Sequence, residues 1–105
     1  MNLFGLFNSA AIPQVDAEQL RQRMKKEKLF ILDVREAYEH QSQKIPGSKL
    51  IPLGELPQRL SELEKYRSKE IVVYCRSGSR STSACKFLQG QGFNVVNLTG
   101  GILRW

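Results

Sequence analysis

Residues 71–81 read IVVYCRSGSRS, and this stretch decides the fold. The four β-prone residues IVVY predict a buried strand, which we expect to be the central one of a sheet. The small residues around Gly78 predict a tight loop. Residues 82–89 then predict a helix that is closed by Gly90 and Gly92. A strand, a tight loop and a helix in this order are typical of an α/β protein.

The rest of the chain continues this alternation of strands and helices. Asp16 is the predicted N-cap of a first helix that runs to Lys26, with Gln19 three residues further on. Residues 29–32 predict another buried strand, which ends at Asp33. The remaining predicted elements are a helix at 36–41, a turn at 45–47, a brief strand at 49–51, a helix around 57–64, a strand at 93–98 and a turn at 99–101. The sequence therefore predicts an α/β fold with a central, mostly parallel five-stranded sheet and helices on both faces.

Two of these segments carry apolar residues at helical spacing. In the first segment, Pro57 is expected in the first turn of the helix. The spacing of its leucines predicts one apolar face, made of Leu53, Leu56, Leu60 and Leu63. In the second segment, the stripe predicted to pack on the sheet consists of Ser81, Ala84, Cys85 and Leu88.

Composition and charge narrow the function classes. The chain has 105 residues, of which 41% are apolar. This length and this composition predict one domain, at 12–105, preceded by an N-terminal arm at 1–11. Two cysteines and one histidine cannot supply the four ligands of a closed zinc site, and we expect neither a metal nor another cofactor. So few cysteines also indicate a reducing compartment, and hence a cytoplasmic protein.

The uncharged residues 2–15 are interrupted by glycine and proline and are shorter than a span of roughly 20 residues, so no stable membrane insertion is expected. The formal charge of +6 favours small anionic ligands. The basic residues are dispersed and no aromatic stacking pattern accompanies them, which argues against nucleic-acid binding.

Cys75 stands where the chemistry of such a fold is usually found, at the carboxyl end of a buried strand. The loop that follows can turn its backbone N–H groups toward the sulfur, and it leads into the positive end of a helix dipole. Together with Arg76 and Arg80, these groups predict a thiol pKa lowered from about 8.5 into the range of roughly 3.5 to 7.5. Such a thiolate is a nucleophile that needs no histidine base. The alternative is that Cys75 is simply a small core residue.

The loop CRSGSRS at 75–81 resembles the active-site loop of the rhodanese-like family: cysteine, arginine, any residue, glycine, any residue, arginine, serine. The resemblance extends over residues 12–105. The other matching stretches are DVRE at 33–36 with Glu39, IPG at 45–47 with Ile51 and Pro52, and GGI at 100–102 with Trp105. The chain departs from the family pattern at His40, where an aromatic residue is common, and at Lys44, where histidine is common. We expect His40 to be a partly covered ring that substitutes for the aromatic residue.

The resemblance implies a sulfurtransferase in which Cys75 attacks the outer sulfur of a donor such as thiosulfate and holds it as a persulfide. Arg80 would orient the loop and attract the anionic donor, with Arg76 in a supporting role. The loop implied to bind substrate and persulfide comprises Arg76, Ser77, Gly78, Ser79, Arg80 and Ser81. Asp33 and Arg35 resemble the pair that supports this loop, and Glu39 is expected to form an ion pair with Arg35, four residues before it. The acceptor would be cyanide, a thioredoxin-like dithiol protein or a sulfur-carrier protein.

Three other functions are weighed against sulfur transfer. The related phosphatase loop has five residues between its cysteine and arginine, whereas this loop has four, which suits a single sulfur better than a phosphoryl group. A non-catalytic binding or regulatory module is a second alternative. A thiol redox sensor that forms a disulfide between Cys75 and Cys85 is the third, although the core position predicted for Cys85 opposes it.

Many members of the family continue through a further helix, and the resemblance leads us to expect that this chain, which ends at Trp105, is short of it. We expect this to leave an apolar patch, covered either by the N-terminal arm with Phe4 and Phe7 or by a second copy of the chain. The chain is accordingly expected to be a monomer or a weak dimer.

Overall fold

The computed structural model describes residues 11–105, and its strands form where the sequence is most apolar. The strands are β1 (Gln14–Val15), β2 (Phe30–Asp33), β3 (Lys49–Leu50), β4 (Glu70–Tyr74) and β5 (Asn94–Leu98). The α-helices are α1 (Ala17–Lys26), α2 (Ala37–Ser42) and α3 (Ser79–Gly90). Short 3₁₀ helices span Leu53–Glu55, Leu60–Tyr66 and Gly101–Arg104.

The five described strands form one sheet in the order β1-β5-β4-β2-β3, and every pairing is parallel. Val72 of β4 pairs with Ile31 on one side and with Val96 on the other. The prediction that residues 71–74 form the central strand is therefore confirmed. Because the strands are parallel, Asp33, the last residue of β2, and Cys75, the first residue after the neighbouring β4, come to the same edge of the sheet.

Each face of the sheet is covered by its own apolar cluster. On the first face, α3 and the 3₁₀ helices Leu53–Glu55 and Leu60–Tyr66 pack against the sheet, and the buried members include Leu56, Leu63, Val73, Ala84, Cys85 and Leu88. On the second face, the buried members include Leu20 of α1, Ile31, Val72, Val96 and Ile102. Successive residues of β4 alternate between these clusters, as the two-residue period of a strand requires. The predicted α/β fold with helices on both faces is confirmed.

The segment of residues 53–66 differs from the single helix predicted around 57–64. It forms two 3₁₀ helices joined by turns. Pro57 has no N–H to donate, and Arg59 N–H is shared between the carbonyls of Glu55 and Leu56, at 3.1 and 3.2 Å. The predicted apolar stripe is still correct, because Leu56 and Leu63 are fully buried and the two other leucines pack against the same core.

The helix starts follow from local sequence. Asp16 and Gln19 form the predicted capping box at the start of α1, with hydrogen bonds of 2.8 and 2.9 Å. Helix α3 begins at Ser79, three residues earlier than predicted, so Arg80 lies in its first turn. Within residues 11–105, no helix is long and apolar enough to cross a membrane.

Two predictions concern the ends of the chain, and of these ends only the C-terminal one lies within the described residues. Phe4 and Phe7 of the N-terminal arm lie outside the described residues. At the other end, Trp105 packs against the second cluster, and the guanidinium of Arg21 lies 4.1 Å from the centre of its ring.

Candidate active site

Cys75 directly follows β4 and lies at the head of α3. The residue is buried, with 1% of its surface exposed. Gly78 makes the turn into the helix with a φ of +123°, a region that residues with a Cβ rarely adopt. This sharp turn allows the short loop to curl around the sulfur, as the sequence predicts.

Backbone amides point at the sulfur of Cys75. The N–H groups of Gly78 and Ser81 lie 3.1 and 3.3 Å from Sγ. Burial alone would raise the pKa of the Cys75 thiol, but hydrogen bonds from the Ser81 hydroxyl and from the amides of Ser81, Gly78 and Ser77 outweigh it, so the pKa lies below the ordinary thiol value. The arrangement stabilises a negatively charged sulfur at this position.

The Ser81 hydroxyl adapts to the charge on that sulfur. In the thiol form, Sγ–H donates to Ser81 Oγ at 3.3 Å, and Oγ–H donates to the carbonyl of Gly78 at 3.2 Å. When the thiol loses its proton, rotation of the hydroxyl hydrogen turns Oγ–H into a donor to the sulfur. Ser81 is thus a switchable partner that serves both states of Cys75.

Arg80 is held by Glu39 in a two-pronged ion pair, with distances of 2.7 and 3.0 Å. This corrects the expected ion pair between Glu39 and Arg35. Helix α2 starts at Ala37, so Arg35 precedes the helix and the rule for residues four apart does not apply to it. The hydrogen bonds from Arg80 lower the pKa of Glu39 to about 2. Glu39 therefore fixes Arg80, and with it the first turn of α3.

A model of the rhodanese-like domain matches residues 16–105 of this chain. The chain belongs to the rhodanese-like family. A sulfurtransferase of Allochromatium vinosum is 40% identical over 96 residues, which cover 90% of this chain and 88% of that protein. The predicted family is confirmed, and sulfur transfer is the class of chemistry that this relative supports.

Solved structures of rhodanese-like proteins share the fold. The rhodanese-like domain protein of Staphylococcus aureus superposes with a TM-score of 0.84 at 27% identity, covering 90% of this chain and 91% of its own. A rhodanese-related protein of Thermoplasma volcanium gives a TM-score of 0.80 at 36% identity, covering 89% of both chains.

The rhodanese-like domain buries a charged cluster beside the Cys75 loop. Arg35 donates to Asp33 at 2.8 and 3.1 Å and to the carbonyl of Gln43 at 2.6 Å. His40 Nδ1 lies 2.9 Å from the same carboxylate. Burial raises the pKa of Asp33, but the hydrogen bonds from Arg35 and His40 outweigh it and hold the pKa below its usual value. His40 is partly covered, as predicted, and it also has this polar contact, which its place in the sequence did not predict.

The C-terminal segment of the rhodanese-like domain, residues 101–104, is hydrogen-bonded to the backbone of the Cys75 loop. Ile102 N–H donates to the carbonyl of Cys75 at 2.9 Å, and Leu103 N–H donates to the carbonyl of Arg76 at 3.2 Å. A Cβ at Gly101 would lie 2.4 Å from the carbonyl oxygen of Arg76. The motif GGI at 100–102 was visible in the sequence, but its contact with the loop was not.

Cys85 lies in the core rather than in the site. It is fully buried on α3, beside Ala84 and Leu88, as its spacing predicts. Burial raises the pKa of its thiol to about 12, and the nearby Cys75 contributes to the rise. Both cysteines are free. A thiol that is buried and hard to ionise is a poor partner for disulfide exchange, which argues against the redox-sensor alternative.

We expect the variant Glu39→Gln to lose stability at neutral pH but not at acidic pH. Because Arg80 depresses the pKa of Glu39 from 4.5 to about 2, the pair stabilises the folded state above pH 4.5, and this contribution disappears as the pH falls toward 2. The loss at pH 7 should be about 1 kcal/mol, because Arg80 is a third exposed and solvent screens the pair. Urea unfolding of both proteins across this pH range measures it.

The control for this prediction is Glu64→Gln. Glu64 forms a more exposed pair with Arg67, with 54% and 41% of the two side chains exposed, so its removal should matter less. A difference between Glu39→Gln and the unmodified protein that stays constant from pH 7 to pH 3 would contradict the assignment.

Proposed function

We propose that this protein is a sulfurtransferase that takes a sulfane sulfur from a small anionic donor such as thiosulfate. Cys75 carries the sulfur as a persulfide and passes it to a thiophilic acceptor, either cyanide or a dithiol. The observation that supports this proposal is the set of backbone amides and the Ser81 hydroxyl around Sγ, which lower the pKa of the Cys75 thiol.

In the first half-reaction, the Cys75 thiolate attacks the outer sulfur of thiosulfate. A new S–S bond forms to Sγ, and the S–S bond within thiosulfate breaks. Its electron pair leaves with sulfite. The terminal sulfur of the persulfide carries the negative charge, and the N–H groups of the loop at 76–81 are the donors available to stabilise it.

The charges around the loop suit an anionic donor. Arg76 is exposed and takes part in no salt bridge within residues 11–105. Arg80 keeps part of its surface exposed while Glu39 neutralises it. We therefore assign the attraction of the donor mainly to Arg76 and to the net charge of +6, and the positioning of the loop to Arg80.

In the second half-reaction, cyanide attacks the terminal sulfur and leaves as thiocyanate. The electron pair of the S–S bond returns to Sγ, so the Cys75 thiolate is regenerated. A dithiol acceptor takes the same sulfur by the same displacement. The cycle depends on a free thiolate, which suits a reducing compartment such as the cytoplasm.

Mass spectrometry of the intact protein after incubation with thiosulfate tests the proposal. The unmodified protein should gain one sulfur atom, mapped to the peptide that contains Cys75, and should lose it again when cyanide is added. Cys75→Ala should gain none. Failure of the unmodified protein to gain sulfur, or a gain mapped to Cys85, would refute the proposed function.

A further inference from the structure

A cleft at the amino ends of three neighbouring strands gathers positive charge. Lys28 lies two residues before β2, Lys69 lies directly before β4, and Lys49 is the first residue of β3. These three lysines line one cleft with a volume of about 300 Å³, which we call the lysine cleft. None of the described residues that line it is acidic. The fold thus brings together basic residues that are dispersed in the sequence.

Two of the three lysines have no ionic partner. Lys28 and Lys69 are exposed and take part in no salt bridge in the part of the chain that the structure describes. Lys49 is paired with Glu62 at 3.0 Å. Two ammonium groups of the lysine cleft are therefore available to a ligand.

The glutamates that neighbour these lysines in the sequence are occupied by arginines. Glu27 and Glu70 both bind Arg23, at 3.2 and 2.7 Å. Glu64 binds Arg67 at 2.7 Å. Because the arginines neutralise the negative charge beside the lysine cleft, the cleft keeps an excess of positive charge. Electrostatic complementarity then calls for an anionic occupant.

The lysine cleft also has an apolar surface. The rings of Phe30 and Tyr66 both line it, and they are stacked with 3.8 Å between their centres. An occupant therefore meets aromatic carbon beside the ammonium groups. A free phosphate or sulfate ion would use the charges but not the rings. An acidic segment of polypeptide that carries an apolar side chain would use both.

Two other kinds of polyanion fit the lysine cleft less well. Nucleic acids are bound preferentially by arginine and stack their bases on open aromatic faces. Here, however, Phe30 and Tyr66 cover each other's facing sides, and the ammonium group of Lys65 lies 5.4 Å from the centre of the Tyr66 ring. A bilayer surface would need exposed apolar anchors, but the exposed large hydrophobic residues of the described surface, Tyr38 and Leu103, line a different cleft.

We infer that the lysine cleft is a docking site for an acidic segment of a partner protein. Carboxylates of the segment pair with Lys28 and Lys69, and an apolar side chain packs against the stacked rings. The site lies away from the chemistry, because Lys69 and Cys75 stand at opposite ends of β4, six residues or about 20 Å apart. A docked partner therefore leaves the Cys75 loop open. The inference does not rest on the proposed function.

Fluorescence anisotropy with a labelled peptide tests the inference. In the peptide, one phenylalanine is flanked by three glutamates on each side, and the ionic strength is about 0.15 M, so that distant charges are screened. We expect the Kd of the double variant Lys28→Gln/Lys69→Gln to be about tenfold higher than that of the unmodified protein. Replacing the phenylalanine of the peptide with glycine should raise Kd about fivefold, because contact with the rings is lost.

The control for this prediction is Lys44→Gln/Lys86→Gln. It removes the same net charge from two exposed lysines that do not line the lysine cleft, so Kd should stay within about twofold of the unmodified protein. The charge reversal Lys28→Glu/Lys69→Glu should abolish detectable binding. The rate at which iodoacetamide alkylates Cys75 should not change when the peptide is bound, because the peptide lies at the other end of β4.

Each opposite outcome identifies what has failed. The inference would be overturned if the unmodified protein did not bind the peptide, if both glutamine double variants lost affinity equally, if the glycine peptide bound as well, or if the bound peptide protected Cys75. Tighter binding of an oligouridylate or of phosphatidylserine vesicles, lost in Lys28→Gln/Lys69→Gln, would assign the lysine cleft to a nucleic acid or to a membrane instead. A protein that takes up no sulfur from thiosulfate but binds the peptide as expected would refute the proposed function alone.

Discussion

Replacing Cys75 with serine is expected to lower kcat/KM for sulfur transfer from thiosulfate to cyanide by at least about a thousandfold. A serine hydroxyl ionises far above the range of a thiol, and an oxygen cannot form the S–S bond of a persulfide. The fold should persist, because the Gly78 and Ser81 amides that lie 3.1 and 3.3 Å from Sγ can donate to a hydroxyl oxygen as well. Thiocyanate formation measures the activity, and circular dichroism checks the fold.

Cys85→Ala is the matched control for this prediction. Cys85 is fully buried in the first apolar cluster, so its replacement should cost stability rather than activity. We expect kcat/KM to stay within about twofold of the unmodified protein. A Cys75→Ser protein that retains more than about one hundredth of the activity would show that another group carries the sulfur.

The ionisation of the Cys75 sulfur sets the pH dependence of persulfide formation. The rate of persulfide formation should rise with pH to a plateau, with a midpoint at the pKa of Cys75, which the Ser81 hydroxyl and the loop amides hold below the ordinary thiol value. Alkylation by iodoacetamide should show the same midpoint and leave Cys85 unmodified in the folded protein. A midpoint at or above the ordinary thiol value would mean that the loop does not stabilise the thiolate.

The strands and the position of the nucleophile could be predicted from the sequence because both depend on short segments. A run such as IVVY at 71–74 is apolar on both faces, and a sheet covered on both faces is where such a run is stable. The same holds for the capping box of Asp16 and Gln19, in which both partners lie within one turn.

The partners of the charged residues could not be predicted in this way. Glu39 and Arg80 are 41 positions apart, and only the packing of α2 beside the head of α3 brings them together. The short distance in sequence from Arg35 to Glu39 was misleading, because the helix starts after Arg35. In the segment around Pro57, the spacing of the leucines fixed which side chains are buried but not the type of helix, since both an α-helix and successive 3₁₀ turns place such a stripe on one side.

Gly101→Ala is expected to lower kcat/KM about a hundredfold and to destabilise the fold by about 2–4 kcal/mol. The new Cβ would lie 2.4 Å from the carbonyl oxygen of Arg76 and 2.6 Å from that of Cys75. Both are backbone atoms, so the loop itself must move away, and the amides that hold Sγ move with it. Urea unfolding measures the stability, and the midpoint of Cys75 alkylation should shift to higher pH as those amides lose contact with the sulfur.

Gly47→Ala separates this clash from the ordinary cost of replacing a glycine. Gly47 has a φ of +82° and Gly101 a φ of +62°, so both substitutions force a side chain into the left-handed region. A Cβ at Gly47, however, meets nothing within 4 Å. Gly47→Ala should therefore lose about 1 kcal/mol of stability and keep its activity. If the two variants lose activity equally, or if Gly101→Ala keeps the kcat/KM of the unmodified protein, then the C-terminal segment does not position the loop that holds Cys75.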